Sequence, residues 1–69
     1  MQDAIERFER DCTAAGVTPE EAIVAAGLHR ATWFRWRAGT VSPNLRSFEA
    51  AKTGIVKAAE AKALAAEAA

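Results

Sequence analysis

The sequence predicts an all-α domain of four to five helices, and three observations support this. Alanine, the residue with the highest helix propensity, is the most frequent residue in the chain. Apolar residues recur at helical spacing, as Ile5, Phe8 and Cys12 do, and no segment alternates apolar and polar residues as a half-buried strand does. Glycine and proline separate the helical segments. We therefore expect one helical domain over residues 1–69.

The first two helices have clear boundary signals. The apolar stripe of the first helix extends from about residue 2 to residue 14, and Gly16 stands where a glycine commonly ends a helix. The second helix begins with an N-cap threonine, a proline suited to the first position and a glutamate that completes a capping box; these are Thr18, Pro19 and Glu21. Gly27 predicts its end at about Ala26. We expect Cys12 to be a core residue rather than a reactive thiol.

The third helix is predicted over residues 30–38, between His29 at the N-cap position and Gly39. Trp33 and Trp36 are three residues apart, so they share one helix face, and we expect that face to pack on the core. Phe34 lies away from this face. An exposed phenylalanine among arginines indicates contact with DNA or with another partner.

The last helix is predicted from about residue 43 to residue 67, with Ser42 as N-cap and Pro43 at the first position. Its apolar residues keep helical phase across Gly54; they are Leu45, Phe48, Ala51, Ile55 and Ala59. Gly54 has two interpretations. It is either an exposed glycine inside one long, alanine-rich helix, or the end of the fourth helix before a fifth. The unbroken phase favours the long helix.

The formal net charge is zero, but the charges are segregated along the chain. Six acids against two arginines give residues 1–27 a net charge of −4, whereas residues 28–52 carry +4. No acidic residue occurs between Leu28 and Phe48. A local surface charge of one sign matters more to a polyanionic partner than the net charge of the whole chain does. The middle of the chain is therefore a candidate nucleic-acid surface.

Several function classes are disfavoured by composition. One cysteine and one histidine do not make an internal disulfide or a structural zinc site, and no catalytic set or phosphate-binding glycine loop occurs. We therefore expect no enzymatic activity, no cofactor, no metal and no small-molecule ligand. The first residues are charged and amphipathic, so we expect no signal peptide. No apolar run reaches the length of about 20 residues that a membrane span needs. The expected location is the cytoplasm.

Residues 16–48 resemble the Cro/cI-type helix-turn-helix family, which is also called lambda-repressor-like or XRE-type. The motifs are GVT at residues 16–18, AAGL at 25–28, RWRAG at 35–39 and PNLRSF at 43–48. The helix-turn-helix itself covers about residues 18–38. Two features depart from the family pattern. In the second helix the family has a large apolar residue followed by a small one, whereas this chain has Ala22 followed by Ile23. In the third helix Trp33 and Trp36 replace the family's aliphatic pair.

The resemblance implies that the third helix lies in the DNA major groove. By position, the residues expected to contact bases are Arg30, Ala31, Thr32, Phe34 and Arg35. Those expected to contact the DNA backbone are Thr18, His29, Arg37, Thr40, Ser42, Asn44 and Arg46. Arginine matches the O6 and N7 acceptors of guanine, so Arg30 and Arg35 are the leading base readers, whereas Ala31 and Phe34 suit thymine methyl groups.

The function that the resemblance implies is sequence-specific transcriptional regulation by a Cro-like repressor of phage or prophage origin. The partner is double-stranded DNA in the nucleoid of a bacterial host. One module reads few base pairs, so we expect a homodimer on a pseudo-palindromic operator. Ile55, Val56 and Leu64 are the candidate dimer residues. The alternative is a helix-turn-helix-shaped module that binds protein, such as a phage inhibitor, or a DNA-packaging adaptor.

Overall fold

The helix boundaries follow from the turn residues between them. The structure, a computed structural model, describes residues 2–68, and all regular secondary structure within them is helical. The helices are α1 (Gln2–Ala15), α2 (Pro19–Ala25), α3 (Ala31–Ala38) and α4 (Leu45–Ala68). The all-α class is confirmed. Each predicted helix is present, and the fifth helix, the alternative interpretation of Gly54, is not formed.

The turn between α1 and α2 is defined by two local hydrogen-bond motifs. Gly16 has a φ of +77°, and the Val17 amide beyond it donates to the carbonyl of Cys12 at 3.0 Å, which ends α1. The predicted capping box of α2 is present. The Glu21 amide donates to Thr18 Oγ1 at 3.1 Å, and the Thr18 amide donates to Glu21 Oε1 at 2.8 Å. Val17 is thereby placed in the core.

The core of the domain is built around four aromatic rings from three helices. Phe8 of α1 lies 5.6 Å from Trp33 of α3 and 6.0 Å from Phe48 of α4, between ring centroids. Trp36 of α3 lies 6.1 Å from Phe48. All three pairs are tilted, a geometry that aromatic rings favour. The two tryptophans therefore hold α3 against the other helices, as their spacing predicts.

The start of α4 differs from the prediction. The side-chain oxygen Oδ1 of Asn44 accepts a hydrogen bond from the Ser47 amide at 2.8 Å, so Asn44 caps the helix and Ser42 does not. Pro43 lies before the helix and is buried. Leu45 was expected in the core but is 75% exposed. It lies one turn before Phe48, which is itself only partly buried at the edge of the packed face, and so extends beyond that face.

The long α4 confirms the preferred interpretation of Gly54, but the expectation that this glycine is exposed is wrong. Gly54 is buried against α2, where Ala22 is its nearest neighbour. From residue 60 to residue 68 every α4 residue is exposed, so this part adds little to the core. It is tied back by Lys62, whose Nζ is 2.9 Å from both the Gly16 carbonyl oxygen and Glu21 Oε1.

Candidate nucleic-acid interface

The turn between α2 and α3 places the start of α3 at the surface. Gly27 has a φ of +81°, a conformation that favours glycine, and the chain turns there. The N-cap residue of α3 is Arg30 and not, as predicted, His29. His29 lies one residue earlier, where its ring Nδ1 accepts from the Ala31 amide at 3.1 Å and its carbonyl accepts from the Thr32 amide at 2.9 Å. Because Nδ1 accepts this hydrogen bond, Nε2 is the ring nitrogen left to donate outward.

The outer side of α3 combines arginines with one aromatic ring. Trp33 and Trp36 are only 2% and 3% exposed, whereas Phe34 between them is 51% exposed. Arg30, Arg35, Arg37 and Phe34 are all exposed, and we call these four residues the arginine face. Ala31 and Thr32, also expected to contact bases, are half-buried. The five predicted base-contact residues thus lie in α3 or, for Arg30, directly before it.

The segment between α3 and α4 continues this surface. Thr40, Ser42, Asn44 and Arg46 are exposed, and we call them the phosphate edge because they were predicted to contact the DNA backbone. A depression of about 210 Å³ separates α3 from this edge. The polar side chains that line it are Thr32, Arg35, Ser42, Asn44 and Ser47, and none of them is acidic. Polar donors without carboxylates are the surface that phosphate oxygens require.

The arginines of the arginine face and the phosphate edge form no ion pair with any described carboxylate. Within residues 2–68, the one ion pair joins Lys62 of α4 to Glu21 of α2. Arg30, Arg35 and Arg37 of the arginine face, and Arg46 of the phosphate edge, have no carboxylate partner among the described residues. Four unneutralised guanidinium groups therefore point to solvent from a stretch of chain that contains no acid.

Thr18, at the start of α2, is less available than predicted. Its amide is bound by Glu21, and its hydroxyl accepts from the Glu21 amide, so only the hydroxyl hydrogen is left to donate. The hydrogen bond from the Thr18 amide, followed by that from Lys62, lowers the pKa of Glu21 and keeps it ionised. A carboxylate thus occupies the place where the expected phosphate would meet the Thr18 amide.

The three predicted dimer residues differ in their exposure. Ile55 is only 9% exposed and packs in the core, so it offers little surface to a second copy. It is on the face of α4 that packs on the other helices. Val56 and Leu64 are 57% and 66% exposed. They are eight residues apart, about 12 Å along the helix, with the charged Glu60 between them.

The exposure of two apolar residues between α3 and the start of α4 was not predicted. Val41 is 49% exposed and lines the depression next to α3, and Leu45 projects from the start of α4. Leu45 shares the helical phase of the core residues, so sequence spacing assigned it inward. The signal that the helix begins only at Leu45 was Asn44, a strong N-cap residue.

No protein-family model, curated protein or solved structure matches the chain. The described helices include none that combines the length and apolar character of a membrane span. Across residues 2–68, no three His, Cys, Asp or Glu side chains are grouped as metal ligands would be. The functional argument therefore rests on the geometry and charge of the arginine face and the phosphate edge.

Proposed function

We propose that this chain is a sequence-specific DNA-binding transcriptional regulator, a Cro-like repressor that acts by occupying its operator. The observation that supports the proposal most strongly is the unpaired arginine face. Three exposed guanidinium groups come from α3 and the residue before it, with no acid between residues 28 and 48. A helix presented in this way fits the major groove of B-DNA, which is about 12 Å wide.

The proposed mechanism begins with base reading by α3. Arg30 and Arg35 each present a planar pair of donors that matches the O6 and N7 acceptors of guanine. Both residues are exposed, so each is free to reach outward without breaking an ion pair. Trp33 and Trp36 support this role from behind, because their burial fixes the orientation of α3. Removal of either arginine should therefore reduce discrimination between sequences.

The phosphate edge would set the position of the protein on the duplex. Arg46 contributes a charge, Thr40 and Ser42 contribute hydroxyl groups, and the Asn44 side chain has its NH2 group free because its oxygen caps α4. His29 Nε2 and Arg37 would extend the same contacts along the backbone. Such contacts supply affinity and register but not sequence preference.

We propose further that two copies bind together, since one α3 reads too few base pairs for specificity. Half-sites would then be about 34–36 Å apart on a pseudo-palindromic operator. Val56 and Leu64 are the exposed apolar residues of α4 available for the contact. Neither of these residues belongs to the arginine face, so the dimer contact would use side chains other than those proposed to bind DNA.

Selection of bound sequences from random duplexes tests the proposal. The expected result is a two-fold symmetric motif containing guanine. Affinity for the selected duplex should fall with salt with a log–log slope of about −7, as for a dimer that contacts about four phosphates per subunit. Arg46→Gln should reduce the magnitude of this slope, and Arg10→Gln in α1 is the charge-matched control that should not. Absence of any duplex binding at about 50 mM salt would refute the proposal.

A second candidate is a module that binds another protein, such as an inhibitor or a DNA-packaging adaptor. The observation in its favour is a groove of about 530 Å³ between α2 and the tail of α4. Val24, Ala61 and Ala65 contribute to its apolar lining, and its charged lining residues are Glu20, Glu21, Arg30 and Lys62. The DNA-binding measurement separates the two, because a protein-binding module predicts no enriched sequence and no steep salt dependence.

A further inference from the structure

We infer that the groove between α2 and the tail of α4 docks an amphipathic α-helix of another protein, and that an acidic residue of this helix pairs with Arg30. The docked helix thereby withdraws Arg30 from DNA. Its effect on DNA binding rests on the proposed function, whereas the docking itself stands on the groove alone.

Two helices that lie side by side form the groove. Glu21 in the first turn of α2 pairs with Lys62, and Ala26 after the end of α2 lies near Gly54, so α2 and α4 run in opposite directions. Val24 lines the groove and is 55% exposed. The other apolar lining residues are Ala25, Ala58, Ala61 and Ala65. An exposed valine among them gains free energy only when another surface covers it.

The charges of the groove specify what can cover it. Thr18 and Glu21 are engaged with each other in the capping box, and Lys62 pairs with Glu21. Glu20 and Arg30 also line the groove but form no ion pair among residues 2–68. The complementary partner therefore presents an apolar face with one basic residue for Glu20 and one acidic residue for Arg30.

Nucleic acid does not suit this groove. The hydrogen bond from the Thr18 amide, and then that from Lys62, lowers the pKa of Glu21, so this carboxyl is ionised at neutral pH. Glu20 adds a second carboxyl group that has no cationic partner among the described residues. Both carboxylates repel phosphate groups. The groove therefore suits a protein, whereas the arginine face suits DNA.

The occupant is a helix rather than an extended segment. Between their ends, α2 and α4 use their main-chain groups in their own helical hydrogen bonds, so the groove offers side chains only. An extended peptide would bury its amides and carbonyls there without partners, whereas a helix satisfies its own. The α4 side of the groove extends from Ala58 to Ala65, about 10 Å, which matches two turns of a partner helix.

Arg30 connects the groove to the proposed DNA site. Among residues 2–68, it is the one member of the arginine face that lines the groove, since Phe34, Arg35 and Arg37 do not. A guanidinium group that pairs with a carboxylate of the partner is not free to donate to guanine. The two partners therefore compete for Arg30, and by thermodynamic linkage each weakens the binding of the other by the same factor.

The first experiment tests the docking with a display library of helical peptides, about four turns long, in which one helix face is randomised. Selection on the full chain should enrich peptides with an apolar stripe, one acidic residue and one basic residue on that face. Val24→Asp should weaken an enriched peptide about tenfold or more, because the new carboxylate would be buried without a partner. Val56→Asp, at a valine of α4 that is 57% exposed and outside the groove, is the matched control and should leave the affinity unchanged.

The second experiment tests the competition for Arg30. At saturating peptide, fluorescence anisotropy should show about a fivefold loss of affinity for the selected duplex. Arg30→Gln should remove this loss, because the shared guanidinium group is gone. Arg37→Gln removes a guanidinium group of the arginine face that does not line the groove, so it should keep the loss.

Several results would overturn the inference. No enriched peptide, or equal weakening by Val24→Asp and Val56→Asp, refutes the docking. Loss of self-association in Val24→Asp, measured by sedimentation, shows that a second copy covers the groove and refutes it as well. A groove-bound peptide that leaves DNA affinity unchanged, or lowers it equally in Arg30→Gln, refutes the competition. If selection enriches no duplex, the proposed function fails, while the peptide measurements still decide the docking.

Discussion

Gly54 of α4 lies directly against the main-chain carbonyl group of Ala22 in α2. A Cβ atom built on Gly54 would overlap that carbonyl oxygen and would lie 3.2 Å from the Cβ of Ala26. Ala22 is fully buried, with no exposed surface. The two helix backbones therefore approach each other closely, and a small residue at each of these positions permits it. This explains why the larger residue of the pair in α2 is Ile23 and not residue 22.

Gly54→Ala should destabilise the domain by about 1–3 kcal/mol, because the added methyl has no space against the α2 backbone. Helix propensity alone predicts the opposite, a gain of about 1 kcal/mol. Urea unfolding followed by circular dichroism measures the difference. Thr53→Ala, at the exposed neighbouring position, is the control and should change stability little. A stabilised Gly54→Ala variant would show that the helices are not in close contact there.

The stability of the domain should decrease in acid through Glu21. The amide of Thr18 and the ammonium group of Lys62 lower the pKa of this carboxyl from its ordinary value of 4.5. The unfolded chain thus takes up the proton first, so the contribution is complete above about 4.5 and is lost as pH falls through the lower folded value. Thermal unfolding against pH should show a shallower acid decline for Glu21→Gln, and Glu6→Gln on exposed α1 should leave it unchanged.

The folding stability of the domain should decrease at alkaline pH because of Cys12. Burial, and then the nearby charges of Asp11 and Glu9, raise the pKa of its thiol from 9.0 to about 11. The unfolded chain loses this proton first, so the stability from Cys12 is complete below about 9 and is lost as pH rises toward 11. Cys12→Ala removes the titrating group. Its unfolding midpoint should decline less between these pH values than that of the parent, even though it starts lower.

Arg35→Ala should lower affinity for the selected operator by about 1–3 kcal/mol and affinity for random duplex much less. The reason is that a bidentate contact with guanine exists only on the correct sequence. Fluorescence anisotropy with both duplexes measures the two losses. Equal losses would assign Arg35 to a phosphate, not a base. Arg7→Ala on α1 supplies the comparison, since that arginine lies outside residues 28–48.

Ile55 and Leu64 should respond differently to substitution although both were predicted at the dimer surface. Ile55→Ala opens a hole in the core and should cost about 2–5 kcal/mol of folding stability. Leu64→Glu changes a residue that is 66% exposed and should leave folding intact while weakening self-association. Sedimentation at several concentrations, together with thermal unfolding, distinguishes the two effects. An unchanged association constant for Leu64→Glu would place the dimer contact elsewhere.

Local sequence signals predicted the helices and much of the candidate surface. The capping box of Thr18 and Glu21 and the end of α1 at Gly16 are interactions between residues at most five positions apart, and the shared face of Trp33 and Trp36 follows from their spacing of three. Such interactions depend on spacing along the chain, so they can be read without knowledge of the fold. The exposure of Phe34 followed from the same helical period.

By itself, the sequence determined the all-α class, the four segments that become helices and the separation of positive from negative charge. The tertiary structure decided which apolar residues of the predicted α4 stripe were buried, since Ile55 packs in the core and Leu45 is exposed. It also decided that Gly54 is buried in contact with α2, whereas the sequence predicted an exposed glycine within the helix. The physical reason is that burial depends on which surfaces approach across space, here α2 on α4, whereas helical phase specifies only which residues share a face.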